Sequence, residues 1–137
     1  MQRLVIDTNI LVSALIQKSF PYFIINSLPA NEKAVWCISD AVLEEYTDVL
    51  KRGKFAKYPG FTSNADSLLA ELEEIAARYT PEIRLTIIKD HSDNKFLELA
   101  LTCNAHFLIT GNTKDFTMTT FGQTKIITPK EYWENHR

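Results

Sequence analysis

Five short apolar runs, separated by segments with helical periodicity, constrain the fold of this chain more than any other feature. Each run is rich in β-branched residues and too short and continuous for a half-exposed strand, so it predicts a buried parallel strand. The runs are Leu4–Ile6, Val35–Ile38, Ile83–Ile88, Phe107–Ile109 and Lys125–Ile127. Strands that alternate with helices predict a doubly wound α/β domain.

Two of the helical segments have recognisable ends. An apolar stripe predicts a helix over Asn64–Tyr79, which Thr80-Pro81 is expected to stop. Near the end of the chain, Thr128–Glu131 combines a capping hydroxyl, a proline at the first helical position and a glutamate at the third. This combination predicts that a last helix begins there.

The composition fits one domain over residues 1–137 and excludes a strongly basic protein. Of the 137 residues, 45% are apolar and 23% are charged, and 15 Lys and Arg face 17 Asp and Glu. No global positive field therefore attracts nucleic acid, so any binding of RNA would be local.

The apolar N-terminal stretch is unsuited to crossing a membrane. Asp7 and Asn9 lie inside the run from Leu4 to Ile16, which is wrong for a signal peptide or a membrane span. We therefore expect a cytoplasmic protein with no membrane partner. Cys37 and Cys103 form no metal-type pair, and each is expected to be a buried reduced thiol.

Acidic and amide side chains follow three of the five runs. Asp7 follows the first run, Asp93 the third, and Asn112 and Asp115 the fourth. In open parallel sheets the reacting groups gather beyond the carboxyl ends of the strands, so these residues are expected to share one rim.

The apolar stripe of the helix after the second run indicates that Glu45, and not its neighbour Glu44, is a candidate site residue. Glu45 falls within the apolar stripe of that helix, which consists of Val42, Tyr46, Val49 and Leu50. Glu44 points about 100° away, onto the solvated face. A carboxylate aimed at the core is costly unless it has a partner or binds a cation.

Three carboxylates on one rim repel each other unless something positive lies among them. Oxygen-only ligation by Asp7, Glu45 and Asp93 suits Mg²⁺ or Mn²⁺, and such sites activate water for phosphodiester hydrolysis. The structural alternatives are that Asp7 and Asp93 cap helices, and that Glu45 reaches solvent along its methylene groups.

The chain resembles the PIN-domain family, and in particular the VapC-type toxins of bacterial toxin–antitoxin pairs. The matching motifs are Val5–Ser13, Ile38-Ser39 with Leu43–Tyr46 and Val49-Leu50, Asp93–Ala100 and Leu108–Asn112. They cover nearly the whole length and occur in the family's order.

This resemblance implies a three-layer α/β/α fold with a central parallel sheet and an endoribonuclease that depends on Mg²⁺ or Mn²⁺. It implies that Asp7, Glu45 and Asp93 form the acidic metal site. It also implies a homodimer and a small antitoxin that covers the acidic cleft. The departure is Asn112, where many PIN nucleases carry Asp. Either one cation suffices, or Asp115 assists, or the activity is low.

One basic cluster, Lys51–Tyr58, is a candidate for binding RNA. Lys51, Arg52 and Lys54 would contact phosphates, while the interleaved Phe55 and Tyr58 would stack on bases. The alternative is that these cations complement a helix C-terminus. Thr8 would orient the metal-bound water or a phosphate, or else cap a helix.

Three functions therefore remain open. The first is a metal-dependent ribonuclease in which Asp7, Glu45 and Asp93 hold the cation and Asn112 and Asp115 assist. The second is a weakly active or non-catalytic module that binds RNA or a protein. The third is a phospho-accepting receiver, which the sequence matches less well because receivers need two adjacent early acids and a late Lys at strand ends.

Overall fold

A mostly parallel sheet forms the centre of the computed structural model, which describes residues 1–86, 93–112 and 116–137. Within these residues the sheet has six strands in the order β3-β2-β1-β4-β6-β5. They are β1 (Gln2–Ile6), β2 (Ala34–Ile38), β3 (Ala77–Arg78), β4 (Phe107–Ile109), β5 (Thr120–Phe121) and β6 (Thr124–Ile127). Neighbouring strands are parallel except for β5 and β6.

Helices flank the sheet and confirm the predicted α/β/α fold. They are α1 (Thr8–Ile16), α2 (Phe20–Ser27), α3 (Asp40–Leu50), α4 (Phe61–Ile75), α5 (Asn94–Cys103) and α6 (Pro129–Asn135), with short 3₁₀ turns at Leu28–Ala30 and Gly53–Phe55. Helix α5 packs on β1, β2 and β4, whereas α1 packs against α2, α3 and α4. The predicted start of α6 is correct, because the Thr128 hydroxyl accepts a hydrogen bond from the Glu131 main-chain N–H.

The central strands are buried on both faces, as their continuous apolar sequence predicts. Leu4, Val5 and Ile6 of β1 are fully buried, and so are Leu108 and Ile109 of β4. These two strands pair in parallel, with Ile6 opposite Ile109. The next residues along each strand, Asp7 and Thr110, therefore leave the sheet side by side.

The strand order places a topological switch point between β1 and β4. The chain first moves outward from β1 through β2 to β3, and then returns to the other side of β1 with β4. Crevices at such switch points, outside the carboxyl ends of the strands, are where α/β proteins bind ligands. The order also differs from that of receiver domains.

Two predicted elements are wrong in part. Residues 83–86 form no strand, and 87–88 lie outside the described residues. The edge strand beside β2 is instead Ala77–Arg78. The main-chain N–H of Leu85 donates to the Glu98 carboxylate, so at this residue a side chain takes the place of a neighbouring strand.

The helix predicted over Asn64–Tyr79 begins and ends earlier, at Phe61 and Ile75. Ala76 is already extended, and the Tyr79 main-chain N–H donates to the Ile38 carbonyl oxygen. The apolar residues after Ile75 are partly buried beside β2, and over so few residues their spacing does not distinguish a strand from a continued helix.

Among the described residues, no helix has the length and apolar content needed to cross a lipid bilayer. Cys37 and Cys103 are both free and buried, as the sequence predicts. The thiols donate to the main-chain carbonyls of Val35 and Ala100, and the Cys103 thiol together with burial raises the pKa of the Cys37 thiol.

Candidate active site at the β1 and β4 ends

Asp7 is the most deeply buried acid of the candidate site. It follows β1, and 2% of its surface is exposed. The Thr110 hydroxyl donates a hydrogen bond of 2.6 Å to Asp7 Oδ2. Asp7 is the N-cap residue of α1, but its side chain forms no hydrogen bond of ordinary capping geometry, although the main-chain N–H groups of Thr8 and Asn9 lie close enough to lower its pKa.

Burial raises the pKa of the Asp7 carboxyl group to about 6, from an ordinary value of 3.8. The hydrogen bond from Thr110 lowers this pKa, whereas the nearby charge of Glu45 raises it further. Glu45 accepts a hydrogen bond from Thr8, the residue after Asp7, so both carboxylates lie at the carboxyl end of β1. A cation bound beside them would relieve both the repulsion and the cost of burial.

Glu45 lies on α3 with both carboxylate oxygens bonded. Its Oε1 lies 3.1 Å from the Lys95 Nζ, and its Oε2 accepts a hydrogen bond from the Thr8 hydroxyl. The Glu45 side chain is 16% exposed, whereas Glu44 is fully on the solvated face. The helical stripe therefore distinguishes the partnered glutamate from the exposed one, as predicted.

Helix α3 is fixed to β1 by the residue after Glu45. The buried Tyr46 hydroxyl donates a hydrogen bond to the main-chain carbonyl of Ile6, the residue before Asp7. The same hydroxyl accepts a hydrogen bond of 3.3 Å from the Trp36 indole. Tyr46 follows Glu45 and Ile6 precedes Asp7, so this hydrogen bond holds Glu45 and Asp7 at the same end of the sheet.

Asp93 and Asn112 complete the polar network. Asp93, at the start of α5, is 8% exposed, and its Oδ2 lies 3.5 Å from Asn112 Nδ2. The Asn112 main-chain N–H donates to the Thr110 hydroxyl oxygen at 3.0 Å. A chain of hydrogen bonds thus joins Asp93 to Asp7 through Asn112 and Thr110. Asp115 lies outside the described residues.

The donor set of this network fits a hard divalent cation. Asp7, Glu45, Asp93 and Asn112 offer only carboxylate and amide oxygens, the ligands that Mg²⁺ and Mn²⁺ prefer. In residues 1–86, 93–112 and 116–137, no group of three or more His, Cys, Asp or Glu side chains is placed to hold a metal ion. The shared ion therefore stays a prediction that rests on donor chemistry.

The predicted basic cluster is divided among different surfaces. Arg52 borders a depression of about 300 Å³ together with Glu45 and Lys95. Lys51 borders a separate depression between α3 and α4.

Lys54 lies over the Phe55 ring, 5.2 Å from its centroid. Phe55 itself is buried and stacks on Phe61, so the prediction that it stacks on bases is wrong. Packing in the hydrophobic core therefore determines the position of the Phe55 side chain, although its neighbours in sequence are basic.

The sequence analysis gave no role to Thr110 or Lys95. Thr110 directly follows β4, so the rule that selected Asp7 also applies to it. Lys95 lies two residues after Asp93. Its position beside the site is evident only from its ion pair with Glu45 of α3. Thr8 is 4% exposed and bonds to Glu45, so it positions that carboxylate.

Comparison with known proteins supports the same fold. The family model of the PIN domain matches residues 3–114. The uncharacterized protein MJ1680 of Methanocaldococcus jannaschii is 30% identical over 110 residues, which cover 80% of this chain and 70% of that protein.

A solved structure is similar over nearly the whole length. It is a chain in the crystal structure of VapBC2 from Rickettsia felis bound to a DNA fragment from their promoter. The TM-score is 0.61 at 19% identity, with 93% of this chain and 98% of that chain covered. At this identity the likeness establishes a shared fold.

Proposed function

Because this chain belongs to the PIN-domain family, whose members are generally nucleases, we propose that it is a metal-dependent endoribonuclease that hydrolyses RNA phosphodiester bonds. The observation that supports the proposal is the chain of hydrogen bonds that joins Asp7 to Asp93 through Thr110 and Asn112 at the β1 and β4 switch point. Glu45 lies near this chain because it accepts a hydrogen bond from Thr8, the residue after Asp7.

In this proposal Asp7, Glu45 and Asp93 hold Mg²⁺ or Mn²⁺, with Asn112 and Asp115 assisting. When bound, the ion would supply an activated water and neutralise negative charge on the phosphate. Thr110 favours the ionised form of Asp7 by donating to it, and Thr8 orients the Glu45 carboxylate. The burial of Asp7 and Asp93 restricts bulk water around the reacting groups.

Among the three predicted basic residues, Arg52 is the best placed to bind the RNA backbone. It borders the same depression as Glu45 and Lys95, so a phosphate bound by Arg52 would lie near Glu45. Lys51 and Lys54 lie on other surfaces and would contribute through longer-range attraction.

The decisive experiment compares purified wild type, Asp7→Asn and Asp93→Asn on RNA in EDTA, Mg²⁺ and Mn²⁺. We expect cleavage only by the wild type and only with a divalent cation. Equal cleavage by all three proteins would mean that another site or a contaminant is responsible.

A non-catalytic RNA- or protein-binding module is the second candidate. Asn112 at the fourth position and the two protein partners of Glu45 favour it, since both weaken the attraction for a cation. Binding of RNA without cleavage in either metal would support this alternative over the nuclease.

We further propose that the chain is the toxin of a toxin–antitoxin pair and forms a homodimer. The likeness to a chain of the VapBC2 complex supports a partner protein of the antitoxin type. Induced expression of the wild type should arrest growth, whereas Asp7→Asn should not. Sedimentation should give a mass twice the 15.7 kDa of one chain.

A further inference from the structure

Two consecutive residues of α3 form hydrogen bonds with the two chain neighbours of Asp7. The Glu45 carboxylate accepts a hydrogen bond from the hydroxyl of Thr8, the residue after Asp7. The Tyr46 hydroxyl donates a hydrogen bond to the main-chain carbonyl of Ile6, the residue before Asp7. We call this pair of hydrogen bonds the Asp7 clamp. Asp7 thus lies between two anchors that belong to the same helix.

The Tyr46 hydrogen bond of the clamp lies in the hydrophobic core. Tyr46 and Ile6 are both fully buried. The Tyr46 ring lies beside the Phe96 ring of α5, with the ring centroids 6.5 Å apart, and its hydroxyl accepts a hydrogen bond of 3.3 Å from the Trp36 indole of β2. Contacts with β1, β2 and α5 therefore hold the hydroxyl in one place, as in other buried and fully bonded polar networks.

The clamp adds a constraint that the other contacts of Asp7 do not supply. The Asp7 main-chain N–H donates to the Ile109 carbonyl at 3.0 Å, and its carboxylate accepts the hydrogen bond from Thr110. Both of these contacts place Asp7 relative to β4, whereas the clamp places it relative to α3 and hence to Glu45. Such placement matters for catalysis because a displacement of about 1 Å can lower a reaction rate about a hundredfold.

We propose that Tyr46 is a positioning residue of the candidate active site. Through the Ile6 carbonyl, its hydroxyl sets where the Asp7 carboxylate lies relative to Glu45. Because Tyr46 is fully buried, RNA cannot contact it, so loss of the hydroxyl should lower turnover and not the binding of RNA. The effect on turnover rests on the proposed nuclease function, but the clamp itself is testable without cleavage.

Three variants separate positioning from a general loss of stability. Tyr46→Phe keeps the ring and removes the hydroxyl. Tyr132→Phe is the matched control, because Tyr132 is also buried and its hydroxyl donates to Gln2 Oε1 at the start of β1, the opposite end from Asp7. Each change removes one hydrogen bond of a buried tyrosine, so both should lower the free energy of unfolding to a similar extent. Thr8→Val removes the other hydrogen bond of the clamp.

Hydrogen exchange in EDTA and without RNA tests the clamp directly. The Asp7 main-chain N–H joins β1 to β4 at the carboxyl ends of these strands, and the His106 main-chain N–H joins them at their amino ends. Tyr46→Phe should accelerate exchange at Asp7 about tenfold more than at His106. Tyr132→Phe should show no such preference for Asp7, since the hydrogen bond that it removes lies at the amino end.

Cleavage of RNA with Mn²⁺, under conditions where denaturant curves show every variant to be folded, gives the second measurement. Tyr46→Phe should lower kcat about 10- to 100-fold and leave the KM for RNA unchanged. Tyr132→Phe should leave both close to the wild type. If the two hydrogen bonds act as one clamp, Tyr46→Phe and Thr8→Val combined should lower kcat by less than the product of their separate effects.

Equal acceleration at Asp7 and His106 in Tyr46→Phe, or equal losses of kcat in Tyr46→Phe and Tyr132→Phe, would overturn this inference and leave the nuclease proposal standing. Absence of cleavage by the wild type would overturn the nuclease proposal, and the exchange rates would then decide the inference alone. If Tyr46→Phe does not fold, Thr8→Val decides it: a larger acceleration at Asp7 than at His106 supports the clamp, and an equal one overturns it.

Discussion

Thr110 and Asp7, the first residues beyond two paired strands, are joined by a hydrogen bond of 2.6 Å from the hydroxyl to the carboxylate. The bond connects the ends of β4 and β1, and it lowers the pKa of a carboxyl group that burial has raised to about 6. In the proposed function this bond matters because the ionised form of Asp7 is the form that would bind a cation.

Thr110→Val should raise the pKa of Asp7 above about 6 and weaken cation binding at neutral pH. Loss of such a supporting hydrogen bond typically costs about 10- to 100-fold in metal affinity or activity. The measurement is the dependence of RNA cleavage on pH, whose acidic limb should move to higher pH.

Thr124→Val is the matched control for this substitution. Thr124 is also buried and donates to a main-chain carbonyl, that of Ala105, but it lies at the start of β6 and away from Asp7. Loss of the Thr124 hydroxyl should lower the free energy of unfolding without moving the acidic limb of the pH profile of RNA cleavage. An acidic limb that stays in place in Thr110→Val would contradict the role given to Thr110.

The second prediction concerns stability without metal. The pKa of Asp7 is higher in the folded protein than its ordinary value of 3.8, so the folded state binds more protons between pH 4 and about 6. Raising the pH through this range therefore lowers the free energy of unfolding, by at most about 3 kcal/mol. Asp7→Asn removes this effect and should be more stable than the wild type at pH 7.5.

Denaturant unfolding in EDTA at pH 4 and pH 7.5 measures this difference. The advantage of Asp7→Asn should disappear at pH 4, and Asp48→Asn on the exposed face of α3 should show none at either pH. Saturating Mn²⁺ should stabilise the wild type but not Asp7→Asn, because only the folded wild type binds the ion. An advantage of the same size at both pH values would refute the assignment to Asp7.

The sequence was sufficient to predict that Asp7 and Glu45 are shielded from solvent at the end of the sheet, because each prediction rested on a local pattern. Asp7 ends a continuous apolar run, and Glu45 interrupts an apolar helical stripe. The strands β1, β2, β4 and β6 were predictable for the same reason. The alternation of strands and helices then fixed the fold class without any knowledge of the strand order.

The parts that sequence reasoning missed depend on contacts between distant segments. Lys95 stands among apolar residues in the first turn of α5, and only the packing of α5 beside α3 brings its ammonium to Glu45. Phe55 lies within the basic cluster of the sequence, but its ring is buried against Phe61. Ala77–Arg78 forms a strand because it pairs with Cys37 and Ile38 at the edge of the sheet. A strand of two residues is too short to show an alternating sequence pattern.

The third prediction compares adjacent glutamates on α3. Glu45→Gln removes a charge that Lys95 and Thr8 hold in the site, and it should lower RNA cleavage by about a hundredfold or more. Glu44→Gln changes the same residue type one position earlier, on the exposed face, and should leave cleavage within about twofold. Similar losses in both variants would mean that α3 acts through its overall charge and not through the Glu45 contacts.

The fourth prediction separates two adjacent cations in RNA binding. Arg52 shares a depression with Glu45 and Lys95, whereas Lys51 faces the surface between α3 and α4. The measurement is the affinity for a single-stranded RNA as a function of salt, made in the Asp7→Asn background so that the RNA stays intact. Arg52→Gln should weaken binding and reduce the salt slope by about 0.7, the value for one phosphate contact on a single strand. Lys51→Gln should change the slope little, and equal slopes for the two variants would place the RNA path elsewhere on the protein.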